Sequence, residues 1–188
     1  PDLEAIVRRD LGADLIPDPT QSCDGDGRDF NADDDEYRCF GLRESASFHG
    51  THVAGTIAAR SNNGAGVAGV AWQTQIMPVR VLGRGGGGDT LDIADGIRWA
   101  AGLGVGGAQP SRRADIANLS LGGGGPCPTP FIEAIASARQ QGTLVVVAAG
   151  NDNIRTELFR PANCVGAITV SAVDRIGFPS SYSNGGSN

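Results

Sequence analysis

The residues best suited to chemistry begin at His49, in the run HGTHVAGTIAA that ends at Ala59. The spacing predicts a helix, and a histidine at a helix start lies near the positive end of the helix dipole. That position disfavours a charged imidazolium and leaves a neutral ring, which suits a general base. On the residues alone, a helix cap with packed histidines is the commoner role. A metal site built on His49 and His52 lacks a third ligand.

A second candidate is Asn151, which follows Gly150 and the apolar run from Thr143 to Ala149. A run of this length predicts a buried strand, so the asparagine amide is expected at the carboxyl edge of a sheet. An amide N–H at that edge can donate a hydrogen bond to a developing oxyanion. The alternative is a turn asparagine, which is common after a strand.

These two segments resemble motifs of the subtilisin-like serine peptidases, a match that covers roughly residues 49–185 and keeps the order of that family. The resemblance implies a serine-type endopeptidase that hydrolyses a polypeptide substrate through an acyl-enzyme, with His49 as base and Asn151 as oxyanion donor. Asn118-Leu-Ser-Leu-Gly-Gly123 resembles one wall of the family's substrate cleft, and Arg160-Pro-Ala-Asn163 resembles its far side. The implied substrate-binding residues are Ser120, Leu121, Gly122, Gly123, Gly83, Gly85, Ala149 and Gly150.

Two motifs of that family do not occur in the sequence: Asp-Ser/Thr-Gly, which carries the acid, and Gly-Thr-Ser-Met-Ala, which carries the nucleophile. Pro1-Asp2-Leu3 resembles the segment that follows the first motif, and residues 180–187 resemble one that precedes the second. We therefore expect an internal fragment of a catalytic domain, truncated at both ends and inactive alone, with a propeptide outside it. A replacement acid such as Asp2 or Asp29 has no motif support. The alternative is a non-catalytic, calcium-dependent peptide-binding or pseudoenzyme domain.

Composition limits the remaining classes. With 188 residues, 40% of them apolar, the chain suits one folded domain with a core. The net charge is −6 and every basic residue is arginine, with no basic stripe, so no nucleic-acid partner is expected. No apolar run approaches the ~20 residues of a membrane helix, so no membrane partner is expected either.

Seven of the 21 acidic residues lie between Asp24 and Glu36, where glycines turn the chain. Such oxygen-rich spacing suits calcium, which takes about 6–8 oxygen ligands, and the alternative is a solvated acidic loop. Some secreted bacterial members of the resembled family carry a similar insert, and Asn62-Asn63-Gly64 resembles another of its calcium loops. The predicted structural calcium ligands are Asp24, Asp26, Asp29, Asn31 and Asp33.

The four cysteines are widely spaced, and none forms a Cys-x-x-Cys pair. An even count of this kind fits two disulfides in a secreted protein, and buried free thiols are the alternative. Cys23 and Cys39 flank the acidic cluster, and a disulfide between them would cross-link it. The remaining pair, Cys127 and Cys164, would join the two loops that resemble the cleft walls.

Helical and strand patterns alternate along the chain and position these residues. Apolar strands between helices predict an α/β protein, a three-layer fold with a mainly parallel central sheet flanked by helices. A dinucleotide site at Gly102–Gly107 is disfavoured because that run follows a helix rather than a strand. Residues 1–48 are predicted to be loop-rich, with the acidic insert, and 49–188 to form the core. The predicted helices are 49–59, 90–103 and 129–141; the strands are 75–82, 115–121, 143–149 and 167–172; the glycine loops are 83–88, 122–125 and 150–153.

Overall fold

Parallel strand pairing with helices between the strands gives the α/β class that the sequence predicts. The computed structural model describes residues 2–33 and 48–186. The chain divides into two compact units, Pro1–Asp92 and Ile93–Asn188. Among the described residues, no helix is both long enough and apolar enough to cross a membrane.

The first unit contains a parallel pair of short strands, β1 (Ala13–Asp14) and β2 (Val79–Arg80), in which Ala13 faces Val79. Its helices are α1 (Pro19–Ser22) and α2 (His49–Ala58). Helix α1 begins with proline at its first position, and the side chain of Asp18 accepts a hydrogen bond from Thr20 N, which satisfies one free amide of the first turn.

Residues 2–33 are mostly loop, but β1, α1 and a 3-10 turn at Arg9–Leu11 lie there, and Leu15 and Ile16 are buried. A two-residue strand is too short to show a period of two, so the sequence pattern missed it. The strand predicted at 75–82 narrows to β2 and an isolated bridge at Ile76, because Pro78 between them has no N–H to donate.

The second unit is built on a three-stranded parallel sheet in the order β3 (Ile116–Leu119), β5 (Leu144–Ala148), β7 (Ile168–Val170). Leu119 is paired with Val147, and Ala148 with Val170. One sheet face is buried: Ala117, Leu119, Val145 and Val147 alternate with residues on the other face, which are more exposed.

Helix α4 (Thr129–Gln140) contributes Phe131, Ala134, Ile135 and Ala138 to the core of this unit. Their spacing of three and four residues is the helical stripe predicted from the sequence. The chain leaves the helix through Gly142, whose φ of 86° favours glycine. Helix α3 (Thr90–Ala100) also forms as predicted but ends three residues before Leu103.

The predicted glycine loop at 122–125 contains a strand. Strand β4 (Gly123–Gly124) pairs antiparallel with β6 (Phe159–Arg160). Glycine has low strand propensity, so this pairing could not be read from local sequence. It rests instead on long-range contacts, which the Cys127–Cys164 disulfide reinforces with a Cα–Cα distance of 5.2 Å.

Candidate active site

The carboxyl ends of β3 and β5 lie side by side because the two strands are parallel and in register. Ser120 and Leu121 therefore leave one strand next to the point where Ala149, Gly150 and Asn151 leave the other. Residues 149–154 are named the β5 turn below. The sheet thus brings together two of the segments predicted from the sequence, at the edge where α/β proteins place their functional loops.

A phenylalanine ring lies between these two segments. A Cβ added to Gly122 would overlap the ring of Phe159, and one added to Gly150 would lie 2.8 Å from the Phe159 Cε1. Gly150 also has a φ of 104°, which side chains other than glycine rarely adopt. Close approach to the ring therefore explains two of the predicted glycines.

The β4–β6 ribbon forms a braced wall next to the β5 turn. The Asn163 amide donates to the carbonyls of Gly125 (2.9 Å) and Glu157 (3.0 Å), and the Cys127–Cys164 disulfide ties the two loops together. The predicted pairing of these two cysteines is confirmed. In contrast, a Cβ on Gly123 or Gly124 would meet nothing within 4 Å, so there is open space in the side-chain direction of both residues.

Asn151 itself is exposed at the tip of the β5 turn. The turn is held from behind by Asn184, whose side chain donates to Ala149 O (2.9 Å) and accepts from Asp152 N (2.9 Å) and Ile154 N (3.0 Å). Asn184 lies within residues 180–187, which resemble a family segment, but its residue type and spacing predict no role for it. The only local signal was a small polar run ending in glycine, which is typical of any turn.

His49 is the first residue of α2, and its side chain is exposed. The preceding residue, Phe48, is left-handed with a φ of 48°, and this turn directs the chain into the helix. The first-turn amides give that end a positive dipole, as the sequence predicts. His52 is exposed as well.

Gly83 and Gly85, which are also predicted to bind substrate, lie in the first unit, and their surroundings differ. Gly83 packs against α1, because a Cβ there would lie 2.5 Å from Gln21 O, so its side-chain direction is not open to a ligand. Gly85 has a φ of 71° and open space around it, within a 3-10 turn at Arg84–Gly86.

A buried arginine anchors the start of the acidic segment. Arg80 Nη1 lies 2.5 Å from Asp14 Oδ2 and 3.1 Å from Asp24 Oδ2. The Ser22 hydroxyl also donates to Asp24 (2.6 Å). Burial raises the pKa of Asp14 to about 6, and hydrogen bonds from Ile16 N and Arg80 offset this only in part.

The other predicted calcium ligands are engaged locally. Asp29 accepts from Asn31 N (2.8 Å), Asn31 accepts from Asp33 N (3.1 Å), and Asp33 pairs with Arg9. Some loss of hydration, and then repulsion from Asp29 and Asp24, raises the pKa of Asp26, although its side chain is exposed. Within residues 2–33 and 48–186, no three His, Cys, Asp or Glu side chains gather as a metal site. The acidic residues 34–36 lie outside the described residues.

Asp2, named as a possible replacement acid, closes the loop that resembles a second calcium loop. Its carboxylate accepts from Asn63 Nδ2 (2.7 Å) and Val67 N (3.0 Å). These two hydrogen bonds, the Asn63 bond first, lower the pKa of Asp2. Cys23 is in a disulfide, as the sequence predicts. Its proposed partner, Cys39, lies outside the described residues.

Known proteins share both the sequence and the fold. Residues 16–188 match the Subtilase family, Peptidase_S8. An "Extracellular protease" of Xanthomonas campestris pv. campestris is 48% identical over 184 residues, which are 93% of this chain and 31% of the relative. An "Extracellular basic protease" of Dichelobacter nodosus is 40% identical over 187 residues, again 93% and 31%.

A solved structure of a protease from Pseudoalteromonas arctica has a TM-score of 0.88 and 47% identity, covering 97% of this chain and 55% of that chain. By comparison, this chain spans only about a third of the length of the Xanthomonas and Dichelobacter relatives. The family match extends over nearly all of the chain, including the sheet edge that carries Ser120 and Asn151. This chain belongs to the subtilase family of serine proteases.

Proposed function

We propose that the protein carrying this chain is a subtilisin-like serine endopeptidase, with His49 as general base and Asn151 as oxyanion donor. The observation that carries the proposal is the shared sheet edge, where the β3 end at Ser120 adjoins the β5 turn. An exposed amide at such an edge can donate to the oxyanion that forms when a peptide carbonyl is attacked.

In the proposed reaction, the imidazole of His49 accepts the proton of a serine hydroxyl as the serine oxygen attacks the substrate carbonyl carbon. The side-chain N–H of Asn151 donates to the oxygen that becomes negative. His49 then gives the proton to the leaving amine, the C–N bond breaks, and the acyl group stays on the serine. Water, which gives a proton to His49, attacks this ester, and the serine oxygen leaves with the proton that His49 returns. In a subtilisin, removal of an oxyanion donor of this kind lowers kcat by about 10²–10³-fold.

The proposed substrate is an extended polypeptide that lies along residues 120–123. The open space at Gly123 leaves room for such a strand beside this segment, and the disulfide and the Asn163 hydrogen bonds brace the ribbon. The Phe159 ring, packed between Gly122 and Gly150, forms a floor between the two segments. Leu121 flanks this floor as a predicted binding residue. Ala149, the other predicted one, is buried, and its main chain is bonded to Val170 and Asn184, so it supports the floor and does not face the substrate.

The sequence contains neither the Asp-Ser/Thr-Gly nor the Gly-Thr-Ser-Met-Ala motif, so we propose that these 188 residues alone do not turn over substrate. A fluorophosphonate probe tests this. The purified chain should remain unlabelled, and the complete reading frame should label at one serine, with labelling lost in its His49→Ala variant. Stoichiometric labelling of the 188-residue chain would show that it has its own activated nucleophile.

The absent motifs also support a second candidate, a non-catalytic peptide-binding or pseudoenzyme domain. It predicts a complete reading frame without a downstream Gly-Thr-Ser, and a protein that binds peptide without cleaving it. We propose calcium, predicted from the acidic segment, as a structural ion on which peptide binding by this second candidate depends. It takes no part in a chemical step, and several of the described carboxylates also bond to Ser22, Arg80, Arg9 and main-chain amides.

We further propose that the protein is secreted, with a propeptide outside this chain and without a nucleic-acid or membrane partner. The relatives named extracellular proteases support secretion. The Cys127–Cys164 disulfide and the bonded Cys23 support it as well, because disulfides persist in oxidising compartments. The acidic net charge of −6 disfavours nucleic-acid binding.

A further inference from the structure

Asn184 is among the largest fully buried side chains, at 1% exposure, and both ends of its amide contact the β5 turn. Nδ2 donates to Ala149 O, while Oδ1 accepts from Asp152 N and Ile154 N. These partners lie on both sides of Asn151. The side chain therefore spans the segment that displays the proposed oxyanion donor.

The main chain around Asn184 makes further hydrogen bonds to the β5 turn. Asn184 N donates to Gly150 O (2.9 Å), and Gly185 N donates to Ile154 O (3.1 Å). In the other direction, Asn153 N donates to Tyr182 O (3.0 Å). Residues 182–185 thus run alongside the β5 turn, with Asn184 at the centre of the contact.

Only an amide side chain meets these partners at once, because it offers a donor at one end and an acceptor at the other. Aspartate would place an oxygen against the Ala149 carbonyl oxygen. Alanine would remove the partner of three main-chain polar atoms, whose hydrogen bonds to Asn184 are buried at Ala149 O and part-buried at Asp152 N and Ile154 N. The close fit at Gly150 adds a steric constraint, since a Cβ there would overlap Asn184 Nδ2.

We propose that Asn184 is a positioning residue that fixes the β5 turn so that the Asn151 amide points at the developing oxyanion. This inference rests on the proposed function of Asn151. Asn184 touches no substrate; it acts through the turn. Oxyanion donors act by being held in place before the charge develops, and a misplacement of about 1 Å can lower the rate about 10²-fold.

A double-mutant cycle in the complete reading frame tests the proposal. We expect Asn184→Ala to lower kcat by about 10–100-fold while KM changes by less than about twofold, since only transition-state contacts are lost. In an Asn151→Ala background, the same substitution should lower kcat no further. An equal loss in both backgrounds, or no loss in the Asn151 enzyme, overturns the proposal.

Two further variants separate positioning from general destabilisation. Thr143→Val removes a buried hydroxyl that donates to Ala114 O (2.7 Å) at the opposite end of β5, so it should lower stability but leave kcat unchanged. Asn184→Asp keeps the side-chain shape and loses the donor to Ala149 O. It should fold and still lose kcat, and full activity in this variant contradicts the proposal.

Hydrogen exchange on the 188-residue chain provides a readout without catalysis. In Asn184→Asp and Asn184→Ala, the amides of Asp152 and Ile154 should exchange at least about tenfold faster, with Val147 unchanged. Unchanged exchange at both amides would show that the Asn184 side chain does not hold the β5 turn. A complete protein that hydrolyses no peptide, or whose kcat is unaffected by Asn151→Ala, overturns the proposed function and with it the catalytic role of Asn184; the exchange result stands separately.

Discussion

At the scale of single residues, the site depends on groups whose roles come from their surroundings. Gly150 has a left-handed φ and touches Phe159, Gly123 has open space around its Cα, and Asp14 is a fully buried carboxyl next to Arg80. The amino-acid types alone do not distinguish these three situations. Each can be tested on the 188-residue chain without activity.

Gly150→Ala should lower the free energy of unfolding by about 3 kcal/mol, because it combines backbone strain at a positive φ with overlap against Asn184 and Phe159. Urea denaturation measures the loss. The matched control is Gly123→Ala, whose Cβ meets nothing within 4 Å and should change stability by less than about 0.5 kcal/mol. Equal losses in the two variants would contradict this packing account.

Asp14 should make stability depend on pH. Between its unfolded pKa of 3.8 and its folded pKa of about 6, the folded protein keeps a proton that the unfolded chain has released. Folding therefore binds a proton, and the free energy of unfolding falls as the pH rises through this window. We expect the stability of the wild type relative to Asp14→Asn to decrease between about pH 4 and pH 6, as measured by urea denaturation. A difference that is constant or increases would refute a raised pKa.

At the scale of elements, the β4–β6 ribbon gains little stability from its strand pairing and more from the links between its loops. Its two paired positions include two glycines, which contribute little intrinsic strand propensity. The disulfide and the Asn163 hydrogen bonds supply what the strands lack. The wall of the proposed cleft is therefore held by side-chain links between loops.

Removing that disulfide in the Cys127→Ser, Cys164→Ser double variant should lower the free energy of unfolding by about 4 kcal/mol, the loop-entropy value for a separation of 37 residues. Thermal and urea unfolding without reductant measure it, which leaves Cys23 in its disulfide in both proteins. Amide exchange should also rise at Gly125 and Phe159. A double variant as stable as the wild type would show that the ribbon does not need the cross-link.

At the scale of the whole molecule, the second unit has a sheet with two different faces. One face packs on α4, and the other leaves Ile116, Leu144, Ile168 and Val170 between 42% and 58% exposed. Apolar groups this close together on parallel strands form a patch larger than scattered surface residues do. The patch affects how the chain behaves in solution.

We expect the 188-residue chain to bind the dye ANS at this face and to associate at high concentration. A Leu144→Thr, Val170→Thr double variant should reduce ANS fluorescence at least about twofold and shift sedimentation toward the monomer, with stability changed by less than about 1 kcal/mol because both side chains are exposed. Ile154→Thr, an exposed residue outside the sheet, is the control. Equal ANS fluorescence in all three proteins would place the dye elsewhere.

The sequence by itself determined the family resemblance and the long periodic elements. Local patterns predict helices α2, α3 and α4, and a continuous apolar run predicts strand β5. Such patterns involve residues that are close in the chain, so the sequence shows them directly. For the same reason it placed His49 at a helix start and Asn151 after a strand.

Only the tertiary structure decided what depends on distant partners. It paired β4 with β6, placed Phe159 between Gly122 and Gly150, and joined Arg80 to Asp14 across 66 positions of the chain. It also placed Asn184 behind the β5 turn, where its amide meets residues 30 to 35 positions earlier. Such contacts follow from packing and from the need to satisfy buried polar groups, and neither leaves a local pattern in the sequence.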